Sequence, residues 1–118
     1  MNANELFVFF HGILVSLKLY HYKTKSGFRH ERADALISEL GGKVDTLLET
    51  AQGHTGTRIN VTDLSLPLFS LTDANVSSSL GRCADTTAEL VFRHQDLTNI
   101  RDELEGILRK FSFLLSFD

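Results

Sequence analysis

Residues 29–53 read RHERADALISELGGKVDTLLETAQG, and the spacing of their apolar positions decides the fold class. Ala33, Ile37, Leu40, Val44, Leu47 and Ala51 recur every three or four residues, forming one stripe on a helix that the pattern carries from Arg29 to Gln52. Gly53 follows as the expected C-terminal cap. Gly41 and Gly42 fall mid-helix, where two glycines cost about 2 kcal/mol against two alanines. Such a cost asks for a reason, and close approach of another helix is the expected one. Beside the apolar stripe runs a second line of different chemistry: His30, Asp34, Asp45 and Glu49.

Toward the N-terminus, Leu6, Phe10, Ile13, Leu14, Leu17 and His21 share a face at helical spacing. Phe7 and Phe9 widen that face, so a helix buried on most sides is expected. A polar turn at Thr24-Lys25-Ser26-Gly27 separates it from the helix of residues 29–52. The apolar run Leu6 to Leu19 has an acidic start, no small-residue cleavage site and only fourteen residues. It is read as a core helix, neither a signal peptide nor a membrane span.

Toward the C-terminus, periodicity disappears from His54 to Asn75, a segment with Gly56, Pro67 and the apolar cluster Leu64, Leu66, Leu68 and Phe69. A stretch of that length is too long for a plain bundle loop. It is expected to cross the length of the bundle and pack its leucines, with room for a short extra helix. A strand over Arg58 to Val61 would have no partner. A third helix reads through Val76, Leu80, Cys83, Thr87 and Leu90, with Asp73 as N-cap. A fourth reads through Leu97, Ile100, Leu104, Ile107, Leu108, Phe111, Leu114 and Leu115, capped by Asp96 or Thr98, with charges on its outer face from Arg101 to Glu105. Two helices, a long crossover and two more helices is the connectivity of a ferritin-like four-helix bundle.

Composition agrees with an all-α single domain over residues 1–118. Hydrophobic residues make up 42% and charged residues 23%, against one proline and eight glycines, which favours long elements over a turn-rich β-sandwich. The net charge of −3 gives no general attraction for nucleic acid or a membrane, and no Lys or Arg precedes Lys18, so no nucleic-acid-binding arm is expected. Cys83 is the single cysteine and cannot form an internal disulfide. A reducing compartment follows as the expectation: cytoplasmic or inside a virion, not secreted. No phosphate-binding glycine loop, paired CxxC, nucleophile elbow or HExxH occurs, which removes the usual hydrolase and nucleotide-binding signatures.

His30 and Asp34 stand four residues apart, as do Asp45 and Glu49, so each pair projects from one helix face. His21 joins them from the inward face of the first helix. Two imidazoles and three carboxylates suit Fe(II), Mn(II) or Zn(II) better than soft metals. His30 and Asp45 are separated by about 22 Å of helix and cannot hold one ion within one chain. Two copies packed antiparallel about a two-fold axis would bring the pairs together. His30 and Glu49, like Asp34 and Asp45, are equidistant from a point between Glu39 and Leu40, beside Gly41 and Gly42. The expected partner is therefore the chain itself, an antiparallel homodimer through the second helix around Glu39–Gly42, or a larger oligomer built from it, with two equivalent sites per dimer.

At this point the chain resembles a known family. His21-Tyr22, His30, Asp34, Asp45 and Glu49 look like the ferroxidase-site pattern of Dps, the starvation-inducible mini-ferritin. The resemblance implies a metal site in which His21, His30 and Asp34 of one subunit face Asp45 and Glu49 of its two-fold mate. It implies iron as the metal, as a di-iron pair, and a ferroxidase-like activity. The chain departs from the family in carrying Tyr22 where tryptophan is usual, in a shorter His21–His30 segment and in lacking a basic tail. It is more similar still to an uncharacterised family of small proteins from giant DNA viruses and phages. That likeness rests on Leu19-Tyr20-His21-Tyr22-Lys23-Thr24, on the four residues above, and on Asp96-Leu97-Thr98-Asn99-Ile100-Arg101-Asp102-Glu103. It implies the fold without an activity.

Plainer readings stand beside these. Acidic residues on a helix are usually solvated, and only the joint spacing of the five residues lifts them above that level. His11, His54 and His94 have no carboxylate at useful sequence spacing and receive no role. Cys83 is read as an inert core hydrophobe, the Phe7, Phe9 and Phe10 cluster as core, and Lys18, Lys23, Lys25, Arg29 and Arg32 as a basic, solvated end. Two functions follow: an iron-binding Dps-like protein, or a non-catalytic structural protein such as a minor capsid or virion component using the bundle as scaffold.

Overall fold

The computed structural model describes residues 1–117. Four helices account for the secondary structure of these residues, with no strand among them: α1 (Ala3–Lys23), α2 (Gly27–Thr55), α3 (Val76–Ala88) and α4 (Gln95–Leu114). The chain is all-α, as the periodicity indicated. The starts of the first two helices have a local cause. Asn2 and Glu5 form a reciprocal capping box on α1, and the Ser26 hydroxyl accepts from the Arg29 amide to begin α2. α2 ends at Gly56, whose φ of 70° places it in the left-handed region that glycine enters without strain.

The short turn after Lys23 folds α2 back along α1, and α2 also packs on α4, which packs on α3. Leu6, Phe10, Ile13, Leu17 and Tyr20 of α1 meet Ala33, Leu36, Leu40, Val44 and Leu47 of α2, all at 1% exposure or less. Burial of such side chains contributes roughly 1.5–3 kcal/mol each for the larger ones. From the other pair come Val76, Leu80, Ala84, Leu104 and Leu108, joined by Leu115 just past α4.

The segment between α2 and α3 contains no helix or strand, so neither the extra helix nor the strand considered for it forms. Successive hydrogen bonds tie it to α1. The Asn60 amide donates to Asn4 Oδ1 and the Phe69 amide to Ser16 Oγ, while the Tyr20 hydroxyl and Thr24 Oγ1 donate to the Asp73 carboxylate. Pro67 lies directly on Gly12, where a β-carbon would stand 2.8 Å from the Pro67 carbonyl oxygen. The expected packing of the leucines holds only in part. Leu71 is buried and Leu66 half-buried, but Leu64, Leu68 and Phe69 are exposed, because the backbone here is held by α1 through polar contacts.

Several expected boundaries shift. α2 begins before Arg29 and passes through Gly53 to Thr55, since Gly56 supplies the left-handed cap. α3 takes Asn75 rather than Asp73 as its N-cap, because Asp73 is engaged by Tyr20 and Thr24. α4 is capped by His94 without a side-chain bond; Asp96 lies one residue inside the helix. α1 runs 21 residues rather than the fourteen of its apolar core and, by length and composition only, is apolar enough to cross a membrane. Its stripe from Leu6 to Tyr20 is occupied in the core.

Candidate metal centre

The turn at residues 24–26 sets the last turn of α1 against the first turn of α2, and so brings His21 to His30. Their rings stack at a centroid distance of 3.8 Å with 23° between planes. His21 Nδ1 donates to the His30 carbonyl at 3.0 Å, and His30 Nδ1 donates to the His21 carbonyl at 2.8 Å. A carbonyl oxygen only accepts, so both Nδ1 atoms carry hydrogen and both Nε2 atoms keep a lone pair in the neutral rings. This is the tautomer that a metal-binding histidine takes when its other nitrogen is oriented by a backbone carbonyl. His21 is buried and His30 exposed, and Tyr22 packs edge-on against the His21 ring.

Asp34 follows one turn after His30 on the exposed surface of α2, and Asp45 and Glu49 lie further along the same outward face. Among the described residues none of these three carboxylates receives a hydrogen bond or an ion pair. The contrast lies on the adjoining face of α2, where Glu39 pairs with Lys110 and Lys43 with Glu103, both on α4. Ser38 and Gly42 of α2 are exposed as well, and a β-carbon at Gly41 or Gly42 would meet nothing within 4 Å. Among the described residues no neighbour accounts for the glycine pair.

Within one chain the five expected ligands do not converge. His21 and His30 are together, Asp34 is one turn away, and Asp45 and Glu49 are far along the helix. Among the described residues no group of three or more His, Cys, Asp or Glu side chains is placed to hold a metal. The donor chemistry fits a metal in part: two imidazoles with their outer nitrogens oriented, and acceptors that would have to come from elsewhere.

Sequence reasoning gave His54 no carboxylate, and the fold supplies one. His54 Nε2 lies 2.9 Å from both oxygens of Asp96, and the His94 ring stacks on His54 at 3.8 Å. The His54 hydrogen bond is the largest cause holding the Asp96 carboxyl below its usual range. The two residues come from the end of α2 and the start of α4, so no linear spacing announces them. Arg29, read as part of a solvated basic end, is buried. It donates to the carbonyls of Asp73, Leu115 and Phe117, joining α2 to the chain's last described residues. His11 is likewise accounted for locally, stacked on Phe7 and donating to its carbonyl. Cys83 is buried as expected. Burial pushes its thiol up to about 11, with Arg82 opposing the shift, so the unreactive thiol dominates near neutrality.

Compared with known proteins, the chain matches no family model, no curated protein and no solved structure.

Proposed function

We propose that this protein is a ferritin-like four-helix bundle, its α2–α3 connection serving as the long crossover, that dimerises through α2 and binds iron at two equivalent inter-subunit sites. The observation that carries the reading is the reciprocal tie between His21 and His30. It fixes both rings and leaves both Nε2 lone pairs free to ligate, with His30 one turn before Asp34 on α2. An antiparallel mate would add Asp45 and Glu49, whose carboxylates have no partner among the described residues of their own chain. The open surface at Gly41 and Gly42 would be where the two copies of α2 approach. Iron held there with open coordination positions would supply redox chemistry, and oxidation of Fe(II) is the activity such a site supports. The chain's own contribution is to orient two imidazoles and to collect carboxylates that offset the ion's charge.

The reading is tested by the double variant Asp45→Asn, Glu49→Gln. Both substitutions keep size and polarity on an exposed face, so helicity should be unchanged and folding stability should stay within about 0.5 kcal/mol of the parent. Iron retained after gel filtration should fall to background. Undiminished iron in a folded double variant removes the ligand assignment.

A second reading is favoured by the lack, among the described residues, of any three-residue metal cluster. On it the bundle is a structural part, such as a minor capsid component, and the residues on the outer face of α2 are interface groups. Iron loading would then leave the oligomeric state unchanged, while the same double variant would weaken self-association.

A further inference from the structure

The connection leaves a cleft against the first turns of α1, and its origin is a mismatch of lengths. It is fastened at Asn60, whose amide donates to Asn4 Oδ1, and again at Pro67, which lies on Gly12. Asn4 and Gly12 are about 12 Å apart along α1, whereas the backbone from residue 60 to 67 can extend to about 23 Å. That surplus length lets the segment stand off the helix. A cleft of about 560 Å3 results, with Val8 and Phe9 on the α1 side and Val61 and Pro67 on the other. That volume lies within the range of small-molecule sites.

The charged side chains lining the cleft are all acidic. Glu5 and Asp63 both line it, and no Lys, Arg or His side chain does. Asp63 takes no hydrogen bond or ion pair among the described residues. One Glu5 oxygen serves the capping box and leaves the other. Even with the α-amino group of Met1 at the rim counted, the carboxylates outnumber the cations.

We infer that this cleft, closed on one side by Val8 and Phe9 of α1 and edged by the Glu5 and Asp63 carboxylates, binds an elongated apolar molecule bearing a single cationic head, an alkylammonium in chemical class. The chain of the ligand covers Val8, Phe9, Val61 and Pro67, and its head lies between the two carboxylates, where charge complementarity selects it over an anionic amphiphile of equal length. This site is separate from the α2 face proposed for iron and does not depend on it.

Amide NMR titrations of the intact chain with octyltrimethylammonium and with octyl sulfate test the inference. The cationic probe should saturate one set of shifts, centred on Glu5, Val8, Phe9, Val61 and Asp63, with the anionic probe binding at least about tenfold more weakly. The variant Glu5→Gln, Asp63→Asn preserves the capping box, because glutamine serves at that position. It should reduce affinity for the cation about tenfold and bring the two probes together. Val8→Arg, which adds a cation to a half-buried wall, should abolish cation binding with the amide spectrum otherwise intact. Equal affinity for both probes, no saturable shift with the cation, or an unchanged affinity in the double carboxylate variant overturns the inference.

Discussion

The imidazoles of His21 and His30 face each other at 3.8 Å, each donating its Nδ1 hydrogen to the main-chain carbonyl of the other. The arrangement ties the end of α1 to the start of α2 with two hydrogen bonds and commits both rings to the same tautomer. In the metal-free protein at a pH where the rings are neutral, 15N chemical shifts should report Nδ1–H and a bare Nε2 for both residues. An Nε2–H tautomer at either ring would mean that the tie is absent in solution, and with it the preorganisation of the proposed ligands.

Gly41 and Gly42 separate a monomer effect from a dimer effect. A β-carbon at either meets nothing within 4 Å among the described residues. The variant Gly41→Ala, Gly42→Ala should therefore raise the stability of the isolated chain, by up to about 1 kcal/mol per position. The same methyl groups would hold two copies of α2 apart. Chemical denaturation and sedimentation equilibrium together should give a more stable chain that self-associates more weakly. A dimer of undiminished affinity would place the interface elsewhere.

Gly12 has the opposite situation. Its absent β-carbon leaves room for the Pro67 carbonyl, and a substituent would stand 2.8 Å from that backbone oxygen. Gly12→Ala must push the connection off α1, at an expected cost of roughly 1–3 kcal/mol seen as a lower melting temperature. Wild-type stability in this variant would show that the connection does not rest on α1 at this point.

The bond from the Tyr20 hydroxyl to Asp73 predicts how stability changes at both ends of the pH scale. The Tyr20 hydrogen bond, then that of Thr24, holds the Asp73 carboxyl below its ordinary range. Its contribution is present above the unfolded carboxylate value and is lost as pH falls through the depressed one, below about pH 4. Burial, then the bond to Asp73, raises the Tyr20 phenol, so its contribution is lost as pH rises above about 10. Tyr20→Phe should destabilise by roughly 1–3 kcal/mol near neutrality and flatten the alkaline decline, and Asp73→Asn should flatten the acid one. Unchanged slopes in urea denaturation across pH would argue against the contact.

The four helices were legible because each carries an apolar stripe of helical period, and Ala33, Leu40 and Val44 are buried where that stripe puts them. Ends were less legible, since a cap depends on what else competes for the capping side chain. Asp73 is a good N-cap by residue type, yet it is held by Tyr20 and Thr24, more than forty-five residues earlier in sequence. The connection misled for a related reason: Leu64 and Leu68 look like core, but the backbone around them is anchored by Asn4, Gly12 and Ser16 and turns them outward. For the site, the proximity of His21 and His30 followed from a short turn between two helices. The His54–Asp96 pair joins the ends of two helices far apart in sequence, and spacing alone carries no sign of it.

Whether one chain's histidines and another chain's carboxylates bind the same iron, as proposed above, is decided by subunit complementation. A chain with His21→Ala and His30→Ala and a chain with Asp45→Asn and Glu49→Gln carry different affinity tags. They are co-refolded, the doubly tagged heterodimer is purified, and its iron is measured after anaerobic loading and gel filtration. Each variant alone should retain no iron, whereas the heterodimer should recover one of the two sites of the parent dimer, because one site is rebuilt and the other loses all four altered ligands. A heterodimer as empty as its parents, or either variant loading fully alone, contradicts the claim.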